Sequence, residues 1–195
     1  MKPPIILVGY PGSQKIVAAS KYLTSKYLPD FNITYLNYKG EINGWGEYVT
    51  AFLEYLTDDE VVFALDDYLV AEGIDMIRFC AAQQLLKGDV VCVKLCESTE
   101  QEHLEYPVTT QYCIWNKQYL IWLLKKINTP WEFEINGSRI FNTVEFFETK
   151  VRSTNFPCLK YFTNSSISSR WEGVRLDGLK QEDIDYIIEN KLIHE

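Results

Sequence analysis

Val61-Val62-Phe63-Ala64-Leu65-Asp66-Asp67-Tyr68 holds the strongest strand signal in the chain. Its first five residues are apolar without a break and offer no polar face to solvent. Such a strand has to be covered on both sides, as in the middle of a parallel sheet with helices above and below. The apolar run stops abruptly at two adjacent carboxylates. Ligands of open α/β sheets bind at the carboxyl ends of the strands, so the acid pair falls at the edge where function is expected.

The same logic extends outward. Ile5-Ile6-Leu7-Val8 is a second continuous apolar strand, ending at Gly9. Between the two strands the pattern predicts a helix over 15–27, with Ile16, Ala19, Leu23 and Tyr27 on one face. A strand over 32–37 and a helix over 45–56 follow. Downstream come a helix over 74–86 and a strand over 90–95. The first half thus alternates strand and helix, the signature of an α/β sheet flanked by helices. The second half is less regular. It predicts a strand over 108–115, a helix over 117–127 stopped by Pro130, and an extended or turn-like segment over 131–135. A helix over 138–151, a strand over 159–163, a polar loop over 164–178 and a final helix over 181–191 complete the chain. No repeat, low-complexity tract or linker interrupts it, so residues 1–195 are expected to form a single domain.

Composition narrows the function. Of 195 residues, 47% are apolar and 24% charged, which excludes a disordered chain. Nineteen basic against 27 acidic residues leave a net charge of −8, which repels phosphate backbones. General nucleic-acid binding is therefore not expected, although one nucleotide held by a local pocket and a metal ion remains compatible. The five cysteines are widely spaced, and most sit in apolar surroundings, as free thiols of a reducing compartment do. Two histidines are too few for a His-rich metal site. The apolar stretch at Ile5–Val8 is too short for a signal core or a membrane span. The expectation is a soluble, intracellular, cytoplasmic protein with no transmembrane segment.

Four segments carry possible chemistry. Gly9-Tyr10-Pro11-Gly12-Ser13-Gln14-Lys15 joins strand to helix as a phosphate loop does. It lacks the Gly-Lys-Ser/Thr ending, and Pro11 removes an amide donor. Tyr10 is placed either to stack on a base or to sit as a solvent-exposed turn tyrosine. Asp66 and Asp67 repel one another and have no basic neighbour in sequence. A hard cation such as Mg²⁺ or Mn²⁺ relieves that repulsion, and a turn or helix cap is the plainer alternative. Gln111, Trp115 and Trp131 offer amide and aromatic surfaces suited to the hydroxyls and C–H faces of a sugar. Glu132 or Glu134, beside Trp131, suits a base or a hydroxyl acceptor; an amphipathic corner with core Trp and solvated Glu is the alternative. Arg170, in a polar stretch, reaches a diphosphate or simply lies on the surface.

Taken together, Leu65-Asp66-Asp67-Tyr68, Gln111-x-x-Ile114-Trp115-x-x-x-Tyr119-Leu120 and Pro130-Trp131-Glu132-Phe133-Glu134, with Gly137-Ser138 behind, resemble a known group. They are similar to small GT-A-fold glycosyltransferases of bacteria, large DNA viruses and phages, including the N-terminal glycosyltransferase domain of a chlorella-virus protein. The resemblance spans roughly residues 4–175. It implies a Rossmann-like mixed sheet flanked by helices, a nucleotide-sugar donor and a divalent metal. The GT-A metal motif Asp-x-Asp is met here by Asp66-Asp67 without the spacer, with Asp67 favoured as ligand and Asp66 supporting. Tyr10 falls where the base would lie; Gln111, Trp115, Trp131, Glu132 and Glu134 fall near the donor sugar and acceptor. The implied reaction moves a hexose or deoxyhexose from a UDP-linked donor to a glycan hydroxyl, in glycan biosynthesis. An inactive nucleotide- or glycan-binding module and a sugar-phosphate nucleotidyltransferase are the competing expectations.

Overall fold

The computed structural model describes residues 2–11, 13–97, 105–143, 150–163, 176 and 178–193. The elements are β1 (Ile5–Val8), α1 (Val17–Tyr27), β2 (Ile33–Leu36), α2 (Trp45–Tyr55), β3 (Glu60–Leu65), β4 (Tyr68–Val70) and α3 (Met76–Leu85). They continue with β5 (Val90–Lys94), β6 (Cys113–Asn116), α4 (Lys117–Leu124), α5 (Pro130–Thr143), β7 (Arg152–Asn155), β8 (Tyr161–Thr163) and α6 (Gln181–Glu189).

Six strands form a mixed sheet in the order β2-β1-β3-β6-β5-β7. β1 lies parallel to both β2 and β3. β6 is antiparallel to β3 and β5, and β7 is parallel to β5. The apolar strands occupy the interior as their composition demands: every residue of β1 is buried, as is β3 from Val61 onward. The polar β7 takes an edge. β4 and β8 form a separate antiparallel pair. Helices flank the sheet, and the architecture is the Rossmann-like, GT-A-like mixed α/β arrangement.

Two segments differ from the sequence expectation in ways that shape the site. The strand expected over 108–115 begins only at Cys113. Residues 108–112 instead form a buried loop whose backbone extends the sheet locally. Leu65 N–H donates to Thr110 O (3.0 Å), and Leu95 N–H donates to Tyr112 O (2.9 Å). The segment 131–135, expected to be extended or turn-like, lies at the start of α5. The apolar–acidic alternation of Trp131-Glu132-Phe133-Glu134-Ile135 imitates a strand, but a capping arrangement prevails. Glu132 N–H donates to Thr129 Oγ1 (3.1 Å), while Glu132 Oε2 accepts from Asn128 N–H (2.9 Å). Pro130 stands at the first helical position, where a missing N–H costs nothing. Part of the helix expected over 138–151 and most of the loop expected over 164–178 lie outside the described residues.

Aromatic packing fixes α5 on the sheet. Phe133 is fully buried, with ring centroids 6.3 Å from Trp45, 5.7 Å from Phe63 and 5.8 Å from Trp115. Ser138, also buried, clasps the backbone of Val108 through its N–H and its carbonyl (both 3.2 Å). One face of α5 is thereby locked, which sets the direction of the residues on either side of Phe133. α2 and α4 approach at Gly46, where an added Cβ would come within 2.0 Å of the Ile127 carbonyl oxygen.

Candidate functional site

The site grows out of the strand order. From β1 the chain crosses to β2 on one side, then returns to β3 on the other. A reversal of strand order of this kind places a candidate site at the carboxyl ends of β1 and β3. Val8 pairs with Leu65, so Gly9 and Asp66 emerge side by side. Asp66 N–H donates to Val8 O (3.1 Å), and Gly9 N–H donates to Leu36 O (2.8 Å). Trp45 Nε1–H holds the Gly9 carbonyl at 3.2 Å. The absence of a side chain at Gly9 matters here: a Cβ would sit 2.8 Å from Asp66 Oδ2 and 3.1 Å from Ser13 Oγ. Ser13 closes the loop, since its Oγ accepts from Tyr10 N–H and donates to Tyr10 O, both at 3.0 Å.

Asp66 is 2% exposed and Asp67 is fully enclosed. The Tyr10 hydroxyl donates to Asp67 Oδ2 at 2.9 Å. Burial pushes the Asp66 carboxyl up to about 7, with the Asp67 charge adding to the rise and the Ser13 hydroxyl opposing it. Burial likewise pushes Asp67 up to about 6; the Tyr10 hydrogen bond opposes, and the Glu134 charge adds. Burial and the Asp67 carboxylate hold the Tyr10 phenol far above its ordinary value, so it is a fixed donor. Oδ1 of Asp66 and Oδ1 of Asp67 have no hydrogen-bond partner among the described residues.

Buried carboxyl oxygens without donors are costly and uncommon. Their chemistry fits a hard divalent cation: Mg²⁺ and Mn²⁺ take carboxylate oxygen, and one or two protein carboxylates suffice when phosphate and water complete the shell. No cluster of three or more His, Cys, Asp or Glu suited to a metal occurs among the described residues. Two carboxyl oxygens from Asp66 and Asp67 would make a partial shell, leaving positions for a ligand's own oxygens.

The third carboxylate comes from α5. Glu134 Oε1 accepts from the Thr109 hydroxyl (3.0 Å), the Thr110 N–H (2.8 Å) and the Thr110 hydroxyl (2.8 Å). Three donors on one oxygen fix the orientation of the carboxylate. The Thr110 hydroxyl also pairs with Tyr68 Oη at 3.2 Å, and Tyr112 donates to the Tyr68 carbonyl at 3.3 Å. Gln111, half-buried, accepts from the Cys96 thiol at 3.0 Å. On the outer side, Trp131 is 56% exposed, and its ring meets Tyr10 edge-on at 5.8 Å. Ile135, one turn further along α5, is 48% exposed and continues an apolar lip.

Of the residues singled out in the sequence, Tyr10, Asp66, Asp67, Glu134 and Trp131 come together, with Gln111 beside Thr110. Two others do not. Trp115 is completely enclosed, stacked on Tyr119 and packed on Phe133 in the core, so it has no surface for a sugar. Glu132 is engaged at the cap of α5. Arg170 lies outside the described residues. Tyr10 itself is 5% exposed, with its hydroxyl turned inward, rather than offering a face to a base. Sequence reasoning missed Thr109, Thr110 and Tyr68. The only signal was the pair of threonines just ahead of Gln111, which read as ordinary strand residues.

No protein-family model matches the chain, and no curated protein sequence matches it. Solved structures do. One is a glycosyltransferase involved in the glycosylation of the major capsid of PBCV-1, at TM-score 0.53 and 14% identity, covering 80% of this chain and 82% of that one. Another is a cytidylyltransferase from Leptospira borgpetersenii serovar Hardjo-bovis (strain JB197), at TM-score 0.52 and 13% identity, covering 99% and 97%. At these identities the likeness establishes the shared fold. No helix among the described residues is long and apolar enough to cross a membrane.

Proposed function

We propose that this chain is a metal-assisted glycosyltransferase that moves a hexose or deoxyhexose from a nucleoside diphosphate sugar, UDP-linked in the first instance, to a glycan hydroxyl. The observation that carries the reading is the buried Asp66–Asp67 pair, with an unpartnered oxygen on each residue, at the point where the strand order reverses. Asp67, supported by Asp66, would hold Mn²⁺ or Mg²⁺. Held there, it would supply charge neutralisation to a diphosphate leaving group.

The chain's own residues supply the rest. Thr109 and Thr110 commit Glu134 Oε1, so Oε2 is the oxygen that takes a proton from the acceptor hydroxyl in an inverting reaction. In a retaining reaction the same carboxylate orients the sugar. Trp131 presents an apolar face to a sugar ring, and Gln111 an amide to its hydroxyls. The likeness to the PBCV-1 glycosyltransferase is consistent with this chemistry.

A second reading, a sugar-phosphate nucleotidyltransferase, draws support from the cytidylyltransferase that matches 99% of the chain. It requires a basic, glycine-rich triphosphate loop, which residues 9–15 supply poorly, with a single lysine. A panel of UDP- and GDP-sugars, incubated with Mn²⁺ and glycan acceptors, tests the first reading through release of the free diphosphate. A parallel set of nucleoside triphosphates with sugar phosphates tests the second through release of pyrophosphate. Diphosphate release that Asp67→Asn abolishes supports the transferase. Pyrophosphate release alone selects the nucleotidyltransferase, and neither product overturns both in favour of a binding module.

A further inference from the structure

Tyr10 touches both halves of the site. Its backbone is pinned by Ser13, which bonds the N–H and the carbonyl of the same residue. Its hydroxyl reaches down to Asp67 Oδ2 at 2.9 Å. Its ring reaches outward to the exposed indole of Trp131, edge-on at 5.8 Å. Phe133 holds the first turn of α5 in the core, so the contact with Tyr10 is made by the Trp131 indole and not by movement of the helix.

A carboxylate has two oxygens and rotates about its last bond. At Asp67 the Tyr10 hydroxyl takes one oxygen, which leaves Oδ1 as the buried atom without a partner. A donor that engages one oxygen and leaves the other uncommitted is what orients a metal-binding carboxylate. A tyrosine serving only as core filler would need no partner at this particular oxygen.

We infer, on the premise of the cation-assisted transfer proposed above, that Tyr10 is a positioning residue. Its hydroxyl aims Asp67 Oδ1 at the cation and its ring carries Trp131, so that cation-and-diphosphate occupancy is transmitted to the sugar-facing indole. Tyr10→Phe should keep the ring and lose the aim.

Two readouts test this apart from turnover. The first is Mn²⁺ affinity in the presence of UDP, from the electron-paramagnetic signal of free Mn²⁺. The second is indole emission on titration with diamagnetic Mg²⁺ and UDP, with Trp131→Phe identifying the Trp131 contribution. Wild-type protein should bind Mn²⁺ and change its Trp131 emission. Tyr10→Phe should weaken Mn²⁺ binding about 10- to 100-fold, as loss of an orienting partner typically does, and should blunt the emission change while its circular dichroism stays native. Unchanged affinity or an unchanged emission response in Tyr10→Phe overturns this inference and leaves the cation reading standing. Wild-type protein that binds no Mn²⁺ overturns both. If Tyr10→Phe fails to fold, the wild-type titration decides alone: cation binding with silent Trp131 emission overturns the link.

Discussion

Replacing Asp66 by asparagine should make the metal-free protein more stable at pH 8 and leave it unchanged at pH 4. Folding lifts the Asp66 carboxyl from its ordinary 3.8 to about 7 because the group is buried. Between those values the folded protein keeps a proton that the unfolded chain has lost. Stability from this group is therefore complete below about pH 4, and is lost as pH rises through about 7. A gap of about 3 pK at 1.36 kcal/mol each makes the ionised Asp66 cost about 4 kcal/mol at pH 8. Asparagine never ionises and fits the same space. In thermal melts with EDTA the variant should melt on the order of 10 °C above wild type at pH 8, with the gap closing toward pH 4. Adding Mn²⁺ with UDP should narrow the gap at pH 8 by stabilising wild type alone. A variant that melts below wild type at pH 8, or by the same margin at both pH values, refutes the claim that Asp66 is an uncompensated buried carboxyl.

Other substitutions separate structural from chemical roles. Glu134→Gln keeps an oxygen for the Thr109 and Thr110 donors but loses the charge, and should lower transfer by about 10²- to 10⁴-fold with little change in melting. Glu132→Ala removes a helix cap and should cost about 1 kcal/mol in urea unfolding with transfer retained. Gly46→Ala drives a Cβ against the Ile127 carbonyl, a backbone atom that cannot step aside, and should cost about 1–3 kcal/mol or more in the same assay. Asp183 anchors α6 to α1 through Lys26 (2.8 Å), Tyr22 (3.0 Å) and Tyr27 (2.5 Å). Burial raises its carboxyl, but the Lys26 and tyrosine donors outweigh that and hold it below its ordinary value. Its contribution is therefore present above the ordinary carboxylate range and lost as pH falls. Asp183→Asn should destabilise by about 1–3 kcal/mol at pH 7 and match wild type in strong acid.

The apolar strands made the sheet readable. Ile5–Val8 and Val61–Leu65 carry an unbroken core pattern, and each ends in residues that cannot continue it, so both the α/β class and the location of the acid pair followed. The second half resisted because its local signals conflict. Trp131–Ile135 alternates like a strand, yet Thr129, Pro130 and Glu132 start a helix, and the cap decides. Trp115 looked like a sugar platform because a tryptophan beside a polar stretch reads the same whether it faces solvent or core. Only its antiparallel pairing with Val61 and Cys92 places it inside. Glu134 could not be told from Glu132 by sequence, since the two differ by which helix face meets Thr109 and Thr110. The inward turn of Tyr10 was invisible for the same reason: its partner Asp67 lies 57 residues away.

The measurement that bears most directly on the account is calorimetric titration of UDP into the metal-stripped protein, with Mn²⁺ and with EDTA, beside the Asp66→Asn/Asp67→Asn double variant. Wild type should bind UDP with Mn²⁺ and not with EDTA, and the double variant, though folded, should not bind under either condition. UDP binding that persists in EDTA or survives in the double variant would contradict that expectation.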